Sequence, residues 1–153
     1  RSRDSRGDPP GGEERHVKIA MVVSEFNFDV TSAMEERARR HAAFLGVEVS
    51  HVVHVPGVFD MGPAIKKLLR RKDVDAVVII GTVIKGDTGH DEIVAHAAAR
   101  AAADLALQFD KPVALGMTGP GMTREQALDR IDNARNAVEA AVRMARTLKE
   151  IGE

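Results

Sequence analysis

The sequence has no cysteine, tryptophan or tyrosine, and its 153 residues include only five phenylalanines. Without cysteine, the chain can form neither a disulfide nor a thiolate metal site. The formal net charge of −1 offers no broad basic field for nucleic acid, and no apolar run approaches the length that spans a bilayer. We therefore expect a cytoplasmic protein with one folded domain, and neither nucleic acid nor a membrane as its partner.

Residues 1–15 lack large apolar side chains altogether. They contain four arginines, four acidic residues, and adjacent Pro-Pro and Gly-Gly pairs. A segment of this composition cannot bury enough apolar surface to order itself, and it has no apolar stretch of the kind found in secretory signals. The composition predicts a disordered tail over residues 1–15 and a single domain over residues 16–153.

The rest of the chain alternates between strand and helix patterns. The run 76–80 has no polar face, which is typical of a strand buried on both sides in a parallel sheet. The order βαβαβαβαα predicts a three-layer α/β/α sandwich around a four-stranded parallel sheet. The predicted strands are 17–23, 47–55, 76–80 and 112–117. The predicted helices end near residue 45, cover 61–71 and 91–109, begin after residue 123, and cover 133–151.

Polar residues mark where several helices should begin. Thr31 or Ser32 can cap the first helix, and Asp60 can cap the second. Thr123 and Gln126 form a capping-box pattern before a short helix. The glycines and proline at residues 119–121 should break the chain after the fourth strand.

A polar loop with two glycines separates the third strand from the third helix. Ligands of open parallel sheets bind at the carboxyl ends of the strands, and the start of the following helix favours an anion. The loop is therefore a candidate phosphate site with an acid/base group beside it, although an ordinary polar loop has the same composition. Its candidate residues are Lys85, Gly86, Asp87, Thr88, Gly89 and His90.

The loops after the first two strands should lie at the same edge of the sheet. They carry Phe26-Asn27 and Val58-Phe59-Asp60. In a chain so poor in aromatic residues, a loop phenylalanine suggests stacking on a planar ligand, whereas packing on the core is the commoner role. Asp60 can accept hydrogen bonds from sugar-like hydroxyls, or it can act only as a helix cap.

His90 is the candidate acid/base group, because histidine titrates near neutral pH. The alternative is a solvated histidine at a helix start. His96 lies six residues further on and does not share a helical face with His90, so we predict no metal site from this pair. Neither a dinucleotide-binding glycine pattern nor a P-loop is present.

The third helix is unusually rich in alanine. Eight alanines between residues 95 and 106 spread over all of its faces. High helix propensity alone can explain them, but a helix that is apolar nearly all round should be buried on more than one side. In a small domain, the second side predicts contact with another subunit.

Four motifs together resemble one known family. They are Phe26-Asn27, VPGVFD at residues 55–60, GTVIKGDTGH at residues 81–90 and EQALDR at residues 125–130. In order and spacing they are similar to the 6,7-dimethyl-8-ribityllumazine synthases, in particular their archaeal-type branch. The resemblance implies a flavodoxin-like fold and the condensation of 5-amino-6-(D-ribitylamino)uracil with 3,4-dihydroxy-2-butanone 4-phosphate in riboflavin biosynthesis. It also implies that no cofactor is needed.

The resemblance further assigns roles to individual residues. His90 would transfer protons, and Leu115 and Arg130 would come from a neighbouring subunit of a homopentamer, twelve of which form a 60-subunit shell in some members. The residues implied to bind the aminouracil are Phe26, Asn27, Val58, Phe59, Asp60, Thr82, Val83, Ile84 and Leu115. Those implied to bind the phosphate substrate are Lys85, Gly86, Asp87, Thr88 and Arg130.

Some positions depart from the family pattern. Leu115 stands where many members have phenylalanine, and an insert that often follows the position of Arg130 is missing.

Two alternatives remain open, an archaeal-type riboflavin synthase and a non-catalytic shell protein that binds flavin or lumazine. The motif at residues 86–90 argues against the first, and the presence of both His90 and Arg130 argues against the second.

Overall fold

Four parallel strands and five helices make up residues 16–86 and 89–152, which the computed structural model describes. The strands are β1 (Lys18–Ser24), β2 (Glu48–Val55), β3 (Ala76–Ile84) and β4 (Val113–Met122), and they lie side by side in the order β2-β1-β3-β4. The helices are α1 (Phe28–Leu45), α2 (Met61–Leu69), α3 (Asp91–Phe109), α4 (Arg124–Asp129) and α5 (Asp132–Ile151). This architecture confirms the predicted α/β/α sandwich, while the predicted tail 1–15 lies outside the described residues.

Alternation along the central strands creates two apolar cores. Met21 and Val23 of β1 point to the face covered by α1 and α5. Ala20 and Val22 point to the opposite face, covered by α2 and α3. All four are fully buried, as expected for a strand between two helical layers.

The strand order fixes where a ligand can bind. The chain adds β2 on one side of β1 and β3 on the other, so the direction of winding reverses between β1 and β3. The crevice outside the carboxyl ends of two such strands is the usual ligand site of open α/β sheets. The relevant ends are Ser24 in β1 and Ile84 in β3.

The start of α1 differs from the prediction. The helix begins at Phe28, before both Thr31 and Ser32, because Asn27 takes up a left-handed conformation with φ of 62° and ψ of 47°. The Asn27 carbonyl accepts the N–H groups of Val30 and Thr31, each at 3.0 Å. Asparagine tolerates this conformation better than most residues, so the chain can turn directly from β1 into the helix.

The two strands nearest the site are also longer than predicted. β3 continues to Ile84, so part of the predicted loop is strand, and the prediction that residues 119–121 break the chain is wrong, because β4 continues through them to Met122. The pairing of the two strands shifts register after Thr82. Gly119 makes the shift possible, since its φ is +100° and a Cβ there would lie 2.2 Å from the carbonyl oxygen of Val83.

The alanine-rich helix α3 is buried on one side within the chain. Ala95, Ala98 and Ala102 pack in the core beneath it. Its other side carries exposed Ile93 and Leu107. Among the described residues, no helix is long and apolar enough to cross a membrane.

Candidate functional site

A cleft of about 320 Å³ opens at the carboxyl ends of β1 and β3, and we call it the β1–β3 cleft. Its walls come from the end of β1, the 3₁₀ turn Val58–Asp60, the end of β3 and the first turn of α3. The cleft thus occupies the crevice that the strand order indicates. Six of the residues singled out in the sequence line it, namely Phe26, Val58, Phe59, Asp60, Thr82 and Val83.

Two backbone hydrogen bonds bring Phe26 to the cleft. Beyond the end of β1, the N–H of Glu25 donates to the Val55 carbonyl at 2.8 Å, and the N–H of Phe26 donates to the Pro56 carbonyl at 3.0 Å. These bonds carry the β1–β2 pairing into the loops and place Phe26 beside the 56–57 turn. Phe26 is 50% exposed and Phe59 is 66% exposed, so two aromatic residues lie at the cleft with surface available to a planar ligand.

A glycine allows the 3₁₀ turn to approach the sheet. A Cβ on Gly81 of β3 would lie 2.8 Å from Cγ2 of Val58, closer than two carbon atoms pack. Val58 is buried and belongs to the core under α2 and α3. The absence of a side chain at Gly81 therefore allows the turn with Phe59 and Asp60 to pack close to β3 at the cleft.

Asp60 does not have the helix-capping role predicted for it. Within the described residues, its carboxylate makes no capping bond to α2. Oδ2 instead accepts the N–H of Gly57 at 3.0 Å, and the N–H of Asp60 donates to the Gly57 carbonyl at 3.0 Å. Asp60 closes its own turn, and its exposed carboxylate can accept hydrogen bonds from ligand hydroxyls.

The end of β3 offers backbone groups to a ligand. The last residue of β3 that pairs with β1 is Ile80, opposite Val23, yet β3 continues to Ile84. The backbone edge of residues 81–84 that faces the β1 side therefore lies beyond the last residue pair of the β1–β3 ladder. Asn27 Nδ2 lies along it and donates to the Thr82 carbonyl at 3.4 Å. Such an edge can pair with the polar edge of a heterocycle.

The Thr82 side chain points away from this edge. The Thr118 hydroxyl donates to Thr82 Oγ1 at 2.9 Å, and Thr82 Oγ1 lies 3.9 Å from Met122 Sδ. Both threonines are buried. This contact gives both hydroxyls a partner.

The structure describes residues 85–86 and 89–90 of the loop after β3, whereas Asp87 and Thr88 lie outside the described residues. Gly86 and Gly89 have φ values of +85° and +73°, a region that glycine occupies without strain. The Lys85 N–H donates to the Met122 carbonyl at 2.7 Å and ties the loop to β4. The Lys85 side chain is exposed and can meet an anion.

His90 immediately precedes α3 and has an exposed side chain. Its carbonyl accepts the N–H of Val94 at 3.0 Å, and Val94 lines the β1–β3 cleft. His90 thus lies one helical turn from the cleft wall, at the helix end where unpaired N–H groups favour an anion. This position can combine proton transfer with phosphate binding.

Leu115 and Arg130 are not among the described residues that line the β1–β3 cleft. Leu115 lies on the edge strand β4 and is 45% exposed. Arg130 follows α4 and lines a separate cavity of about 400 Å³ with Thr118 and Asn133. One chain therefore does not bring either residue to Phe26.

Four residues of the cleft were not singled out as ligand contacts from the sequence. Val94 could have been found because it stands four residues after His90, one turn along the same helix. Ser24 follows Ala20 and Val22 at strand spacing, so the period of two places it on the same face of β1. The other two, Pro56 and Gly57, stand beside the Val58–Asp60 segment.

No three histidine, aspartate or glutamate side chains in residues 16–86 and 89–152 lie close enough together to hold a metal ion. Two histidines outside the site contact glutamate side chains. His41 Nε2 lies 2.7 Å from Glu139 Oε1, and His54 Nε2 lies 2.8 Å from Glu35 Oε1.

Comparison with known proteins agrees with these motifs. The family model described as 6,7-dimethyl-8-ribityllumazine synthase matches residues 16–149. Relatives bearing that name include a protein of Methanococcus maripaludis strain C5, which is 64% identical over 135 residues, or 88% of this chain and 98% of the relative. Another, from Methanocaldococcus jannaschii, is 59% identical over 137 residues, or 90% of this chain and 97% of the relative.

Proposed function

The chain belongs to the 6,7-dimethyl-8-ribityllumazine synthase family, and we propose that the β1–β3 cleft is where its aminouracil substrate binds. The enzyme is a transferase that joins 5-amino-6-(D-ribitylamino)uracil to 3,4-dihydroxy-2-butanone 4-phosphate. The observation that carries the proposal is the convergence of Phe26, the 3₁₀ turn and the open edge of β3 on one cleft.

Each wall of the cleft fits a different part of the aminouracil. The Phe26 ring stacks on the pyrimidine, and the backbone of residues 82–84 hydrogen-bonds to its polar edge, with Asn27 alongside. Val58 and Phe59 contact the ribityl chain, and the Asp60 carboxylate accepts hydrogen bonds from its hydroxyls. A mostly apolar cleft with a few fixed polar groups is typical of small-molecule sites.

The phosphate substrate occupies the loop between β3 and α3. Lys85, Gly86, Asp87 and Thr88 bind it at the start of α3, where backbone N–H groups and the helix dipole attract an anion. Arg130 of a neighbouring subunit adds a planar fork that holds the phosphate bidentately. The location of Arg130 in a separate cavity of its own chain supports this sharing between subunits.

The chemistry needs little beyond alignment and proton transfer. The 5-amino group attacks the ketone and loses one water to form an imine. Phosphate then leaves as a carbon-bound proton is lost, and ring closure by the ribitylamino nitrogen releases a second water. Holding two substrates together supplies much of the acceleration, and His90 transfers protons at the edge of both subsites.

We place the enzyme in the cytoplasm as a homopentamer, with Leu115 of one subunit completing the neighbour's ring pocket, and with twelve pentamers able to form a 60-subunit shell. The exposed apolar side of α3 supports burial against another copy of the chain.

Mixing two impaired variants tests the shared site. His90→Ala should lower kcat by about 10²-fold, and Arg130→Ala should raise the KM for the butanone phosphate much more than that for the aminouracil. Arg130→Lys should recover only part of that loss. Unfolding and reassembling the two alanine variants together should restore activity, because some interfaces then hold both wild-type groups. A mixture no more active than either variant alone would put both residues in one subunit's site.

A further inference from the structure

Arg124 is the first residue of α4. Its side chain contacts the segment that directly follows Phe26, although the two are distant in the sequence. Its Nη1 donates to both carboxylate oxygens of Asp29, at 2.8 and 2.6 Å. Its Nη2 donates to Asn27 Oδ1 at 2.9 Å. We call these three residues the Arg124 network. The guanidinium thereby spans the left-handed residue at the start of α1 and the first turn of that helix.

The network orients the Asn27 amide. Because Oδ1 accepts from Arg124, Nδ2 faces β3 and donates to the Thr82 carbonyl at 3.4 Å. Rotating the amide by half a turn would place its NH₂ against the guanidinium, donor against donor. Arg124 therefore fixes which end of the amide meets the edge of β3.

The same network also constrains the backbone next to Phe26. Asn27 holds φ at 62°, outside the range that most side chains prefer, and Phe26 is the residue before it. On one side the Phe26 backbone is held by Pro56. On the other side, the Arg124 network contacts Asn27 and the first turn of α1.

We infer that Arg124 is a positioning residue for the aminouracil subsite, acting through Asn27 and Asp29 on the Phe26 ring and the Thr82 backbone. This role rests on the proposed function of the β1–β3 cleft. It is distinct from phosphate binding, because the donors of Arg124 that face the loop are occupied by a carboxylate and an amide. A carboxylate beside the guanidinium also offsets its charge for any anion nearby.

The local electrostatics agree with this arrangement. The hydrogen bond from Arg124 is the main cause that lowers the pKa of Asp29 below its ordinary value of 3.8. Asp29 is therefore ionised throughout the neutral range, and the network stays charged and paired wherever the enzyme would be assayed.

Steady-state kinetics with each substrate varied in turn tests the role. Arg124→Ala should raise the KM for the aminouracil roughly 5-fold, the size expected when an ion pair and a hydrogen bond are lost. The same substitution should leave the KM for the butanone phosphate within about 2-fold of wild type. Asp29→Ala should shift the same KM in the same direction by less, and Arg124→Lys should restore only part of the loss.

Arg71→Ala is the matched control. Arg71 also makes a solvent-exposed pair with Asp73, through two hydrogen bonds at 2.8 and 3.2 Å, just after α2. The pair precedes β3, so it lies at the opposite edge of the sheet from the cleft. Its loss should change neither KM, although it removes the same kind of surface interaction.

A binding measurement separates positioning from general stability. Arg124→Ala should weaken binding of the lumazine product, followed by its fluorescence, by a factor similar to the change in KM. An active wild type with an unchanged aminouracil KM in Arg124→Ala would reject the role. A rise confined to the butanone phosphate KM would make Arg124 a phosphate ligand instead. A wild type that does not condense the substrates would reject the proposed site itself.

Discussion

Phe26 is the residue on which the proposed subsite depends most. Phe26 is half exposed, in a chain that has five phenylalanines and neither tryptophan nor tyrosine. Sequence alone singled it out because, in a chain so poor in aromatic residues, a loop phenylalanine suggests stacking on a planar ligand, although packing on the core is the commoner role. The left-handed Asn27 that follows it was not predictable, since asparagine in a loop is compatible with many conformations.

Truncating this ring should weaken aminouracil binding. Stacking of a base on an aromatic ring is worth about 1–3 kcal/mol, so Phe26→Ala should raise the KM for the aminouracil about 5-fold or more. Phe44→Ala is a matched control, because Phe44 is 82% exposed near the end of α1, away from the cleft. An aminouracil KM that is equal in the two variants would show that Phe26 does not stack on the substrate.

At the scale of elements, the ends of β3 and β4 show where sequence reasoning failed. The run 76–80 was recognised as a buried strand because it has no polar face, and the structure confirms it. The extension to Ile84 could not be read from the sequence, because glycine and threonine at residues 81–82 are typical of loops. The continuation of β4 depends on a close approach of Gly119 to β3, a tertiary contact that local patterns do not show.

Gly119 and Gly121 provide a test of this explanation. Gly119→Ala should lower the free energy of unfolding by about 2–4 kcal/mol, because the new Cβ would meet the Val83 carbonyl and the φ of +100° disfavours a side chain. Gly121→Ala should cost only about 1–2 kcal/mol, because its φ is +81° but nothing lies within 4 Å. Urea denaturation of both variants measures the difference. Equal losses would mean that the contact with β3 is not what requires glycine at residue 119.

At the scale of the whole molecule, a hydrogen bond between His41 and Glu139 ties α1 to α5, alongside the ion pair of Arg37 with Asp132. His41 is buried, its Nε2 lies 2.7 Å from Glu139 Oε1, and this hydrogen bond is the main cause that lowers the pKa of Glu139 below its ordinary value of 4.5. A carboxyl whose pKa is lowered on folding adds stability above its unfolded pKa and loses it as the pH falls through its folded pKa.

Thermal unfolding at two pH values checks this contribution. Glu139→Gln should lower Tm at pH 7, and the gap from wild type should close well below pH 4.5, where both chains carry a neutral group at this position. Glu36→Gln is a control, since Glu36 is an acidic residue in α1 that belongs to neither side of this pair. A gap that stays constant with pH would assign the Glu139 effect to packing rather than to charge.

Assembly is a property of the whole molecule that the outer side of α3 should govern. Ala98 and Ala102 pack in the chain's own core, so a charge there would destabilise the subunit itself. Ala103 is exposed on the side that also carries Ile93 and Leu107. Ala103→Glu should therefore weaken subunit association while leaving the fold intact, because burial of an unpaired carboxylate at an interface is costly.

Light scattering on the wild type should give five subunits or a multiple of five, and the variant should give smaller species. Ala103→Ser is the control, since it adds a polar group without a charge. A wild type that stays monomeric at micromolar concentration would contradict the proposed pentamer, and unchanged assembly of Ala103→Glu would place the interface elsewhere.

The most direct test of the account is to give the purified enzyme both substrates without an added cofactor. The absorbance of the lumazine and the release of inorganic phosphate should be followed together. We expect an initial rate that rises in proportion to enzyme concentration above the uncatalysed background, with one phosphate released for each lumazine formed. A rate equal to the background, or consumption of added lumazine to form riboflavin, would contradict the account.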